Sequence, residues 1–153
     1  MVSRMPGRDV EAVTTTRPDL VELLTATSRQ VERAVSAVLT EDGGTLEGYR
    51  VLRALATAPG STMGQLVARL QLPGPTATRV VDGLVDAALV YRLPDPEDGR
   101  RVVVHLSGPG RTRLARWEAL VEARESALAR SLGEDRVAAL RLALAELAED
   151  ADR

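Results

Sequence analysis

Between Asp19 and Leu39 the apolar residues Leu20, Leu24, Val31, Val35 and Val38 recur at spacings of four, seven, four and three. That rhythm puts them on one stripe of an amphipathic helix. Glu41-Asp42-Gly43-Gly44 ends it, and Thr45 is placed to cap a second helix carrying Tyr49, Leu52, Leu55 and Ala56, which stops at Pro59-Gly60. Thr62 and Gln65 stand at capping-box spacing ahead of Leu66, Val67 and Leu70, so a short third helix follows. The turn Leu72-Pro73-Gly74-Pro75 breaks that helix and opens a fourth, with Pro75 in the first turn, where its missing N–H is not needed. In the fourth helix Ala77, Val81, Leu84 and Ala88 share one face, and Thr76, Arg79 and Gly83 share another.

The period then changes. Leu89 to Leu93 and Val102 to Leu106 are short runs rich in β-branched and large apolar residues, separated by Pro94-Asp95-Pro96-Glu97-Asp98-Gly99-Arg100-Arg101. They predict a β-hairpin with a charged loop. A long helix follows from Pro109 to Leu132, with Leu114, Trp117, Val121 and Leu128 on one side. After Gly133 a last helix spaces Val137, Leu140, Leu144 and Leu147 by three, four and three. The chain is read as a flexible segment 1–17 followed by one domain, 18–153, in which helices 18–45 and 109–153 flank a lobe 46–108. A length of 153 residues suits a single core.

Composition narrows the chemistry. There is no Cys, which removes disulfides, thiolate metal sites, thiol nucleophiles and cysteine-based peroxide sensing. A single His, His105, gives little from which to build a metal cluster, and neither a Gly-rich phosphate loop nor a carboxylate pair with a plausible base is visible. The sequence therefore predicts no enzyme and no cofactor. His105 itself reads as an ordinary residue on a sheet face. No apolar run reaches the roughly 20 residues of a membrane span and no signal peptide is apparent, so a cytoplasmic protein without membrane association is expected. All 20 basic residues are Arg, and Lys, Ile, Asn and Phe are absent, as codon bias in a GC-rich bacterial genome would produce.

The net charge of -2 conceals a division. Residues 46–116 hold ten Arg against six acids, whereas 1–45 hold five against seven and 117–153 five against nine. A basic middle between acidic ends is the pattern of one module that meets an anion. Three short helices followed at once by a hairpin is the order of a winged helix-turn-helix, whose recognition helix enters the DNA major groove. Thr76 and Arg79 near the start of the fourth helix and Arg100 and Arg101 at the hairpin tip would be its two polar probes. Guanidinium and hydroxyl groups suit such contacts because they can engage phosphate or base edges. The same arginines could equally be solvated surface charges.

These segments resemble the MarR type of bacterial transcriptional regulators. Tyr49-Arg50-Val51-Leu52 is similar to that family's second-helix motif, and Thr76 through Asp82 with Leu84 to its recognition helix. Leu89-Val90-x-Arg92, Asp95-Pro96-x-Asp98-x-Arg100 and Leu106-Ser107-x-x-Gly110 resemble its wing signature, and the likeness runs from about Thr45 to Leu114. The resemblance implies a mainly α fold with a small β-hairpin, a winged helix-turn-helix flanked by long N- and C-terminal dimerisation helices. It also implies a homodimer on a near-palindromic double-stranded DNA operator, acting as a repressor. Residues matching Pro75, Thr76 and Arg79 would lie at the DNA. Arg100 would enter the minor groove with Asp98 orienting it, although Asp98 before Gly99 also reads as a turn former. The apolar stripes of the flanking helices, with no further domain to cover them, argue for the dimer independently.

The resemblance further implies a small anionic or phenolic effector in a cleft between the dimer helices and the reading lobe. Tyr49, Arg53 and Trp117 are the candidates for lining it, while Tyr49 and Trp117 could instead simply fill the core. Three departures stand out: Pro73-Gly74-Pro75 replaces polar residues before the recognition helix, Gly83 replaces a common basic residue, and Ala88 replaces the usual Gly after that helix. A left-handed backbone at that last position is disfavoured for Ala. The competing reading is a winged-helix protein-interaction module whose basic surface meets an acidic protein.

Overall fold

The computed structural model describes residues 18–151, with side chains through residue 149, and the expected flexible segment 1–17 lies outside the described residues. Six helices and three short strands follow in the order α1 (Leu20–Glu41), α2 (Leu46–Thr57), β1 (Ser61–Thr62), α3 (Met63–Leu70), α4 (Gly74–Asp86), β2 (Val90–Pro94), β3 (Val102–Leu106), α5 (Gly108–Leu132) and α6 (Glu134–Ala151). The fold is mainly α with a small antiparallel sheet, as the sequence predicts.

Each start has a local cause. The Asp19 carboxylate accepts from Glu22 N–H at 2.7 Å to open α1, and the Thr45 hydroxyl accepts from Gly48 N–H at 3.0 Å to open α2. Thr62 and Gln65 form the full capping box, each side chain accepting from the other's backbone N–H. α4 has no side-chain cap, because Pro73 stands at the cap position, and Pro75 occupies its first turn. At the other end Ala88 adopts φ +57°, and Leu89 N–H donates to Leu84 O at 2.9 Å while Ala88 N–H donates to Val85 O at 2.8 Å. That is the left-handed helix stop normally given to glycine, here taken by an alanine at a steric cost. Ala88 is consequently exposed in the turn and does not extend the buried face of Ala77, Val81 and Leu84.

The sheet has one strand more than the hairpin. β3 lies in the centre, pairing with β2 through Val90↔Leu106 to Pro94↔Val102, and with β1 through Ser61↔Val104 and Thr62↔Val103. The core sits between α2, α3, α4, the sheet and the first half of α5, built on Leu39, Val51, Leu52, Leu55, Leu66, Val81, Val90, Val104, Leu114 and Trp117. The predicted stripes of the outer helices fare differently: Leu39 is the one fully buried residue of α1, and α6 buries none. Among the described residues, ten of thirteen exposed large hydrophobics lie on α1, α5 and α6, so uncovered apolar surface is concentrated there.

Candidate nucleic-acid interface

α4 turns its buried face of Ala77, Val81 and Leu84 to the core, which leaves Pro75, Thr78, Arg79 and Asp82 exposed and Thr76 half-buried. Thr78 turns its hydroxyl back to Gly74 O at 3.0 Å, in the first turn of the helix. The Arg79 side chain makes no ion pair and no hydrogen bond among the described residues and is exposed at the edge of the groove beneath α4. Gly83 has open space where a side chain would stand.

At the wing the loop is built from its own acids. The Asp95 carboxylate accepts from Glu97 N–H at 3.0 Å, and Asp95 N–H donates to Arg101 O at 2.9 Å. Asp98 accepts from Arg100 N–H at 3.1 Å, and its second oxygen lies 3.4 Å from Arg101 Nε. The carboxylate thus fixes the turn and pairs with Arg101, while the Arg100 side chain is exposed and has no partner among the described residues. Arg100 and Arg101 are therefore unequal probes, one free and one held. At the root of the wing Arg92 Nη2 reaches Asp82 Oδ1 at 2.6 Å, joining β2 to the exposed face of α4.

α5 is fastened at two places, to the root of the wing and to the α1–α2 turn. Ser107 N–H donates to Leu89 O at 3.0 Å, its hydroxyl lies 2.7 and 2.9 Å from the carbonyls of Ala88 and Leu89, and that hydroxyl accepts from Gly110 N–H at 2.9 Å. Further along, Trp117 is 2% exposed and donates its indole N–H to Asp42 Oδ2 at 3.0 Å. Asp42 also pairs with Arg116, and its carbonyl accepts from Arg113, whose guanidinium lies 5.7 Å from the Trp117 ring centre. A chain of polar contacts thus ties the α1–α2 turn to α5. The residues that form it are over 70 positions apart, and nothing in local spacing announced the partnership.

The three proposed pocket residues do not share one cavity. Trp117 lines a groove of about 440 Å³ together with the Gly43–Gly44 turn and Thr76, Arg79, Val80 and Gly83 of α4. Tyr49 is buried on α2 with the Arg53 guanidinium 5.6 Å from its ring centre, outside that groove. Burial pushes the Tyr49 phenol above its ordinary range, against the lowering effect of the Arg53 charge. His105 stacks on Tyr91 with ring centres 5.4 Å apart, on the sheet face. No group of three or more acidic or imidazole side chains that could hold a metal occurs among the described residues, and none of the described helices is long and apolar enough to cross a membrane.

Residues 45–101 match the model of the MarR family. A putative transcriptional regulatory protein for the hcr operon of Thauera aromatica is 31% identical over 96 residues, which cover 63% of this chain and 56% of that protein. The match spans little more than half the length of that relative. Among solved structures, the transcriptional repressor CouR bound to a 23-mer DNA duplex superposes with a TM-score of 0.79 at 28% identity, covering 85% of this chain and 92% of that one. A mutant MarR from E. coli complexed with operator DNA gives 0.74 at 28% identity, covering 84% and 92%.

Proposed function

Because the chain belongs to the MarR family, we propose that it is a cytoplasmic, dimeric, sequence-specific DNA-binding regulator and not an enzyme, a repressor of a near-palindromic operator that a small-molecule effector releases. The observation that carries this reading is the exposed face of α4, where Arg79 has no ion pair among the described residues and stands beside Thr76 and Pro75, with Arg100 at the wing tip likewise unpaired among them. An unpaired guanidinium on a helix that can enter a major groove is the usual means of reading guanine, and a wing arginine is suited to the neighbouring minor groove. Two relatives of the same fold carry DNA in their structures, which supports the same partner here. Asp98 shapes the wing turn that presents Arg100, and Arg101 supplies a phosphate contact.

The dimer rests on the uncovered stripes. Leu140, Leu144 and Leu147 of α6 and Leu128 and Leu132 of α5 are each more than 40% exposed, and a second copy would bury them as it would the exposed start of α1. Twofold-related copies of α4 would then meet half-sites about one DNA turn apart. The effector is a small anionic or phenolic molecule. Of the three candidates, Trp117 borders the groove beneath α4 that would receive it, and Arg53 presents an exposed cation above the buried Tyr49 ring, outside that groove.

The test is selection of bound duplexes from a random double-stranded library at physiological salt, with the double variant Arg79→Ala, Arg100→Ala in parallel. An inverted repeat enriched by the native chain and lost in the variant is the expected result. Affinity for that repeat should fall with salt at about 0.9 in log–log slope for each phosphate neutralised. Absence of enrichment would reject DNA reading and favour a protein-binding winged helix.

A further inference from the structure

The geometry points to Arg92 as a positioning residue that holds the Asp82 carboxylate away from Arg79, and so keeps the recognition arginine free for DNA. The inference rests on the DNA-binding reading above. Arg79 and Asp82 stand three residues apart on α4, a spacing at which side chains are neighbours on a helix surface and opposite charges pair. They do not pair here. Asp82 Oδ1 is instead taken by Arg92 Nη2 at 2.6 Å, across from the wing strand, and Arg79 is left without an ion pair among the described residues.

Both side chains of the bridge are well exposed, 34% for Arg92 and 52% for Asp82, so the pair contributes little to folding stability. Its effect falls on the surface charge. Without Arg92, Asp82 would be a bare carboxylate one turn from the reading arginine, able to capture that guanidinium and to repel the phosphates of an approaching duplex. With Arg92 in place the carboxylate is satisfied, and β2 is tied to the helix whose contacts it serves. Arg92 thus acts through Asp82, and its own contact with nucleic acid is not required.

A double-mutant cycle tests this on the duplex enriched by the full-length native chain, with dissociation constants measured at several salt concentrations for the native protein, Arg92→Ala, Asp82→Asn, the double variant and Arg92→Lys. Loss of one well-aligned guanidinium contact corresponds to about tenfold in affinity, so Arg92→Ala is expected to weaken binding by about tenfold. Asp82→Asn alone should not weaken it. In the Asp82→Asn background the cost of Arg92→Ala should shrink to less than about twofold, and Arg92→Lys should restore most of the affinity. Equal cost of Arg92→Ala in both backgrounds, with a salt slope lowered by about 0.9 each time, would make Arg92 a direct phosphate contact and overturn the inference. Weakening by Asp82→Asn as well would reduce the bridge to a brace between wing and helix, and would overturn it too. Failure of the native chain to enrich any duplex rejects the DNA reading itself and this inference with it, an outcome distinct from a native chain that binds and an Arg92 variant that binds equally well.

Discussion

Gly110→Ala should damage the joint between the wing and α5 out of proportion to its one added methyl group. A Cβ at Gly110 would lie 2.0 Å from the Leu89 carbonyl oxygen and 2.7 Å from Leu106 Cδ1. The Leu106 side chain can rotate away, but the Leu89 carbonyl cannot, because Ser107 N–H binds it and the Ser107 hydroxyl lies 2.9 Å from it. Overpacking against a fixed neighbour costs about 3 kcal/mol, the upper part of the usual range. Weakening one of those hydrogen bonds adds about 1 kcal/mol, and the better helix propensity of Ala returns about 1 kcal/mol. The net loss is about 3 kcal/mol, or a fall in Tm of about 6 to 12 °C for a chain of this length. Gly83→Ala is the control, since its Cβ would meet nothing within 4 Å on α4; the same exchange there should gain up to about 1 kcal/mol. Thermal unfolding followed by circular dichroism at one fixed protein concentration reads both, concentration being held because association shifts Tm. A Gly110→Ala protein that melts with or above the native chain would refute the reasoning.

Ala88→Gly should raise Tm by about 1 to 3 °C, because a left-handed residue costs alanine about 1 kcal/mol and the looser unfolded state of glycine cancels only part of the relief; a lower Tm in the same melts would contradict the assigned backbone. Asp42→Ala leaves the buried Trp117 indole N–H without its acceptor, so the urea midpoint, read from the single tryptophan, should drop by the equivalent of about 1 to 3 kcal/mol, and an unchanged midpoint would discount the tie between the α1–α2 turn and α5. Burial raises the Tyr49 phenol above its ordinary value of 10.0, which means the folded state holds that proton more tightly than the unfolded state. The stability it contributes is complete below pH 10 and is lost as pH climbs from there through the raised value. Phenolate absorbance titrated in the native chain and in Tyr49→Phe should differ by a component that appears above pH 10, and a difference appearing below pH 10 would contradict the assignment.

What the sequence disclosed was what short-range chemistry decides. Thr45 and Thr62 cap two helices with side chains three residues from their targets and Pro75 suits a first turn, so those three starts could be read from spacing; Asp19 and Ser107 cap α1 and α5 at the same spacing but are not among the predicted caps. The hairpin followed from two β-rich runs around a loop of acids and glycine. β1 escaped notice because Ser61–Thr62 is a strand only by virtue of Val103 and Val104, some forty residues later, and two residues carry no period. The same limit applies to the site. Arg79 and Arg100 could be named as exposed candidates, but that Asp98 would pair with Arg101 depends on the turn the loop adopts, and that Arg92 would cross to Asp82 depends on how β2 lies against α4. Tyr49 and Trp117 are both aromatic and sit on neighbouring helices, but within the shared core they take different partners, Tyr49 beside Arg53 and Trp117 beside Asp42, and only Trp117 borders the groove.

On the proposed reading of a dimer released by an effector, these joints determine what such an effector would have to do. Gly110, Leu114 and Trp117 are the residues α5 buries, and beyond them Leu120 and Val121 are only half-covered. The first three turns of α5 therefore belong mechanically to the reading lobe, held at the wing root by Ser107 and Gly110 and at the α1–α2 turn by Asp42. The rest of α5 and all of α6 expose their leucines and would belong to the partner. One continuous helix of 25 residues, about 37 Å long, spans both bodies. On that reading a tilt of α5 at the seam would reach α4 through the wing root and α2, and a few degrees over that length would displace a recognition helix by ångströms relative to its twin. If the proposed effector binds in the groove beside Trp117, it would need only to favour one tilt over another to set whether two half-sites can be read together, since it could shift that balance by no more than its difference in affinity for the two states.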